Sequence, residues 1–184
     1  MSKQISIILI IVIAILTSQC TTNKNKMLEK INELESEINA SFPNPNPLKV
    51  KELHNLYIDY VNKYEKDTLS PHFIYKAAET AVNTQQYEEA INNLDLLVNK
   101  YPNHKLVPYA IFFKGFIYEN FLNDKENAEK QYRIIISKYK DHPLGKQAIF
   151  SIESLDMTDQ EIVERMNMEW QRVWKEGGRE IVCK

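Results

Sequence analysis

The sequence predicts an all-α chain: a short helical solenoid with a helical N-terminal segment and a C-terminal capping helix. Three observations carry this. Apolar residues recur every three and four positions from Leu28 to Trp174, the period of helices with one buried stripe. No run of strict alternation bounded by hairpin turns interrupts them. One junction is also written three times, as V-N-K-Y-E-K-D at 61–67, V-N-K-Y-P-N-H at 98–104 and I-S-K-Y-K-D-H at 136–142. Its tyrosines, Tyr64, Tyr101 and Tyr139, stand 37 and 38 residues apart, room for two helices and therefore the mark of a helical repeat.

Composition narrows the function. The net charge of −2 supplies no positive field for phosphates, so no nucleic acid is expected as a partner. The four glycines stand in no phosphate-cradling motif, and no H-E-x-x-H, nucleophile elbow or Cys/His cluster occurs. Of the histidines, His54, His72, His104 and His142, the last two occupy the same place in successive junctions, which points to a structural duty. No catalytic residue, metal, cofactor or small-molecule substrate is expected.

Residues 1–19 read as a signal segment. Lys3 gives the positive start, and Ile5 to Leu16 is an apolar run of about 18 Å as helix, short of a hydrocarbon core of roughly 30 Å. It ends on Cys20. That ending resembles the bacterial lipoprotein signal, which implies cleavage before Cys20, lipidation there and membrane attachment through the lipid. Thr17 and Gln19 depart from that family's preferred residues, and secretion with cleavage elsewhere or a retained anchor stay open. With Cys20 used, Cys183 has no partner in the chain and reads as an incidental thiol.

Residues 20–47 hold the lipidated Cys, the tether T-T-N-K-N-K, a short amphipathic helix and a Pro/Asn linker. Leu28, Ile31, Leu34, Ile38 and Phe42 fall on one stripe, which either packs on the neighbouring helices or self-associates. The prolines of F-P-N-P-N-P then stop the helix. Residues 48–157 hold the repeats. Val50, Leu53, Leu56, Tyr57, Tyr60, Val61 and Tyr64 mark a helix over 49–64. In residues 158–184, Thr158-Asp-Gln-Glu161 is a capping box opening a last helix. Its stripe of Ile162, Val163, Met166, Trp170, Val173 and Trp174 is expected to cover the apolar end of the repeats.

Residues 71–104 resemble a tetratricopeptide repeat, with Pro71 as the first position. Ile74 takes the large fourth position, Ala78 and Ala90 the small eighth and twentieth, Leu94 the twenty-fourth and Pro102 the closing proline. The small residues let the two helices of a pair approach closely. A second copy from Pro108 to His142 has Ile111, Gly115 and Tyr118, then a turn longer by one, then Ala128, Tyr132 and Ile135. Lys140 replaces the proline. Lys49 to Glu65 resembles a lone second helix and Leu144 to Leu155 a lone first one, giving two full repeats and two halves.

The junctions, the phrase G-F-I-Y-E-N and the Cys ahead are similar to tetratricopeptide lipoproteins of the bacterial envelope, namely the BamD-like outer-membrane assembly lipoproteins and the C-terminal domain of CpoB. The resemblance implies a non-catalytic adaptor on the outer membrane, lipid-anchored and facing the periplasm, that holds an envelope protein or peptide in a groove. It also implies the groove positions: His72, Tyr75, Glu79, Val82 and Asn83, then Tyr109, Phe112, Phe116, Glu119 and Asn120, then Gln147, Phe150 and Ser154. Tyr75, Tyr109, Phe112, Phe116 and Phe150 would receive apolar groups, and Asn83 and Asn120 the peptide backbone. The same rings are alternatively covered by the first or last helix of the chain itself.

Overall fold

The computed structural model describes residues 22–177; the signal segment, Cys20 and Cys183 lie outside them. Every regular element among the described residues is a helix. These are α1 (residues 22–40), α2 (Pro47–Lys63), α3 (Ser70–Asn83), α4 (Tyr87–Lys100), α5 (Val107–Asn120), α6 (Lys125–Lys138), α7 (Leu144–Ser154) and α8 (Asp159–Gly177). The class is the all-α helical repeat of solenoid type.

The recurring junction has a recurring physical basis. Tyr64, Tyr101 and Tyr139 each donate a backbone N–H four residues back, to Tyr60, Leu97 and Ile135 at 2.8, 2.9 and 2.8 Å, and close their helix. Three residues on, Asp67, His104 and His142 donate to those tyrosines' carbonyls at 2.8, 2.9 and 2.9 Å. The side chain at that position then accepts the N–H two residues ahead. Asp67 Oδ1 takes Leu69 N–H at 2.9 Å, His104 Nδ1 takes Leu106 N–H at 3.3 Å and His142 Nδ1 takes Leu144 N–H at 3.2 Å. A short polar side chain of this kind satisfies a donor that a helix start leaves orphaned. The structural duty expected of His104 and His142 is therefore a turn acceptor, and Asp67 does the same work one junction earlier.

The chain divides into two compact units, one ending at Leu106 and the other beginning at Val107. In the first, Ile31 and Leu34 of α1 are buried with Leu53, Tyr57 and Tyr60 of α2, Phe73, Ile74 and Ala78 of α3, and Ala90, Leu94 and Leu97 of α4. Polar contacts run the length of α1. Lys24 pairs with Asp67, Lys30 with Glu52 and Glu37 with Lys49, while Glu35 Oε1 accepts both Tyr57 Oη and Lys76 Nζ at 2.6 Å. His54 is buried across the same unit, with Nδ1 3.0 Å from Thr80 Oγ1 and Nε2 3.0 Å from Glu89 Oε1.

Several expectations for this unit change. Residues 22–26 are helical, so the tether continues α1. The stripe packs inside the unit, with Ile31 and Leu34 removed from any second copy. Phe42 leaves the stripe at 80% exposure, because the helix has ended before it and the proline linker turns it outward. Nor is α2 a lone second helix. Counting back from the junction tyrosines, Tyr57 and Tyr132 hold the same position, and each donates to a glutamate on the preceding helix at 2.6 Å, Glu35 and Glu119. α1 thus serves as first helix to α2.

In the second unit, Val107, Ala110, Ile111 and Ile117 of α5 are buried with Ala128, Tyr132 and Ile135 of α6 and with Leu144 and Ala148 of α7. The capping box opens α8 as expected: Glu161 Oε2 accepts Thr158 N–H at 2.7 Å and Thr158 Oγ1 accepts Glu161 N–H at 3.3 Å. The expected cover is not seen among the described side chains: Val163, Met166, Trp170 and Trp174 are all exposed, while Arg165 pairs with Glu153 and lies 5.3 Å from the Phe150 ring.

Candidate partner-binding surface

In the first unit the candidate positions lie along α3. Tyr75 is half-buried, while Glu79 and Asn83 are exposed and Val82 is half-buried. Asn83 lines a cleft of about 660 Å³ whose walls include Ile38 and Phe42 from the α1 end and Leu53 from α2. His72 is engaged by the chain itself, its ring edge-on to His104 at 5.0 Å. Burial, with His72 and Lys105 nearby, holds His104 below the usual imidazole range, which suits its acceptor role.

In the second unit α5 carries more aromatic surface, and it separates into two kinds. Tyr109 and Phe116 are exposed, at 42% and 40%. Tyr109 meets the junction ring of His142 edge-on at 5.1 Å, repeating the contact of His72 with His104. Phe116 stands with Phe113 at 6.3 Å and Phe121 at 5.7 Å. The helical positions predicted neither Phe113 nor Phe121, although three phenylalanines within nine residues were visible as a cluster in the sequence.

The other kind faces inward. Phe112 is half-buried with its ring 5.2 Å from Tyr132, and Glu119 accepts the Tyr132 hydroxyl at 2.6 Å. The origin is Gly115. A Cβ there would lie 2.6 Å from Tyr132 Cε1, so the tyrosine ring occupies the place of a side chain. Burial first, and then Glu119, push the Tyr132 phenol far above its usual range, so it stays the donor. Asn120 is exposed but donates to the Phe116 carbonyl at 3.0 Å. On α7, Gln147 and Phe150 are exposed, and Ser154, expected on the groove, is buried and donates to the Phe150 carbonyl at 2.9 Å. Phe150 also lines a groove of about 480 Å³ with Ile149, Met166 and Trp170.

Exposed rings beside exposed amides can hold an apolar segment and hydrogen-bond its backbone. The match to known families agrees with the helix pairing: residues 73–104 and 109–142 both match the tetratricopeptide repeat. No curated protein matches the chain. Such repeats generally mediate protein–protein interaction. The matched segments run through α3–α4 and α5–α6, so the chain is an all-α helical-repeat fold in which two helix pairs match the tetratricopeptide repeat.

Proposed function

We propose that the chain is a non-catalytic protein–protein adaptor of the bacterial envelope, anchored through a lipidated Cys20. In this reading it faces the periplasm from the outer membrane and holds segments of an envelope protein at the first helices of its repeats. The observation that carries the binding half is the exposed aromatic set of Tyr109 and Phe116 on α5 with Phe121 just beyond its end, on a helix whose apolar core positions are already filled. Aromatic side chains such as Tyr are enriched among the anchors of protein interfaces. Glu119 and Phe112 serve the fold in this scheme, and Tyr75, Asn83 and Phe150 supply the remaining contacts.

The anchoring half rests on the segment from Met1 to Cys20. The likeness of the junctions is the support for a part in outer-membrane protein assembly, with coordination of envelope processes as in CpoB as the alternative.

Photo-crosslinking in cells from Tyr109 and Phe116 tests the surface. A discrete envelope-protein adduct is expected, and adducts only to α8 or to residues 22–40 would defeat it. Labelled palmitate should enter the wild-type chain and not Cys20→Ser; equal labelling of both would remove the anchor.

A further inference from the structure

The apolar face of α8 is left exposed among the described residues of its unit. Val163, Met166, Trp170 and Trp174 share one stripe by their spacing, and the two indoles are 70% and 74% exposed. A bare Trp presents up to about 250 Å², so these two alone offer roughly 350 Å². Together with the rest of the stripe and with Ile149 and Phe150 on α7, the exposed apolar area reaches the order of 700 Å². That is beyond what an isolated monomer usually leaves in one patch and close to the ~800 Å² per partner of a standard interface.

Charge argues against a bilayer as the cover. Acidic residues on α8 outnumber basic ones by five to three, whereas helices that lie on anionic lipid carry a basic polar face. Among the described residues no helix is long and apolar enough to cross a membrane.

The order of side chains along the stripe suits a second α8 running the opposite way. Met166 and Trp170 lie two residues either side of position 168. An antiparallel pair with its two-fold axis there sets Met166 against the partner's Trp170, a polarizable thioether on an indole, in both layers. A parallel pair would instead stack indole on indole in one layer and leave thioether on thioether in the other, filling the two unevenly. Glu169, near the axis, is already paired with Arg172 of its own helix, so the axis does not bring two bare carboxylates together.

We propose that α8 is a self-docking helix that joins two copies of this chain through an antiparallel α8–α8 pair. The interface is isologous and closes at two. The pair then presents two sets of repeat surfaces, so a partner with two binding segments gains from effective concentration. The dimer stands on α8 and the adjoining edge of α7, where it takes Phe150 from the partner surface, and does not depend on the binding role given to α5.

Light scattering of the full chain in mild detergent, over a hundredfold range of concentration, should show a dimer. Trp170→Ala/Trp174→Ala should weaken it at least 100-fold, with helical signal unchanged and the melting temperature equal to that of the wild type diluted to monomer, because both rings are exposed in the single chain. In a Cys183→Ser background, Asn167→Cys should give a 167–167 disulfide, located by peptide mass spectrometry, since residues 167 flank the antiparallel axis. A monomer throughout overturns the proposal. So does a double variant that stays dimeric or loses its helical signal, or absence of the 167–167 link in a dimeric sample. A blue shift of tryptophan fluorescence only on adding phosphatidylcholine vesicles, without dimer, assigns the face to lipid and overturns it as well.

Discussion

The pairs α3–α4 and α5–α6 fill the same interhelical space with different side chains. In the first, Ala78 on α3 faces a pair completed by Leu94 on α4, and Val82 stands one turn beyond Ala78. In the second, the corresponding residues are Gly115, Tyr132 and Glu119. Deleting one methyl group at Gly115 makes room for a tyrosine ring where the other repeat has a leucine. The larger ring brings a hydroxyl into a site where an unpaired polar atom is costly. A carboxylate in place of Val82 accepts it. Three positions therefore change together, and a residue expected to meet a partner is drawn into holding its own repeat.

Exchanging the two solutions gives the largest expected effect. Gly115→Ala places a methyl group against a rigid, buried ring and should destabilise the second unit by about 2–3 kcal/mol, read as a lowered denaturation midpoint. Gly115→Ala/Tyr132→Leu reproduces the first pair's combination and should recover at least about 1 kcal/mol of that loss by the coupling expected of contacting residues. Simple additivity of the two changes would break the comparison.

Next is the acceptor. Glu119→Ala leaves the Tyr132 hydroxyl buried without its carboxylate and should cost about 1–2 kcal/mol. Glu119→Gln keeps an acceptor oxygen and should cost less. Val82→Ala, at the matching place, leaves no polar atom stranded, and a loss as large as that of Glu119→Ala would show that packing alone explains both.

The junctions extend the comparison to pH. An imidazole held below its usual range favours the fold above about pH 6.5, and that contribution is lost as pH falls through the lower folded value. His104→Asp copies the acceptor of Asp67, so the variant's midpoint should gain on wild type between pH 7 and pH 5. An unchanged difference across that window would separate the two junctions.

The smallest effect concerns the turns inside the pairs. Gln85 and Asn123 both adopt left-handed backbone, with φ of 60° and 52°. Asn tolerates that region better than Gln does. Gln85→Gly should therefore stabilise by about 0.5 kcal/mol, and Asn123→Gly by less.

Much of this fold was legible in the sequence because its signal is local. The junction tyrosines, the small positions at Ala78, Ala90, Gly115 and Ala128, and the capping box each act within a few residues or one helix pair. α1 as a first helix was hidden because the proline linker lengthens the connection and breaks the period that exposed the other pairs. The inward turn of Glu119 was hidden for a different reason: helical position names a face, while the reach of Tyr132 across Gly115 is set by the opposite helix. The stripe of α8 showed that one face is apolar without showing what would cover it.

The contacts along α1 also set how the first unit answers a mechanical load. Lys24, Lys30, Glu35 and Glu37 each hold a different residue of α2, α3 or the junction between them. Tension entering at residue 22 therefore meets several attachment points spread over fourteen residues, and the buried Ile31 and Leu34 lie between them. Several bonds then stand between residue 22 and the repeat behind it, which makes α1 a strain relief for that repeat.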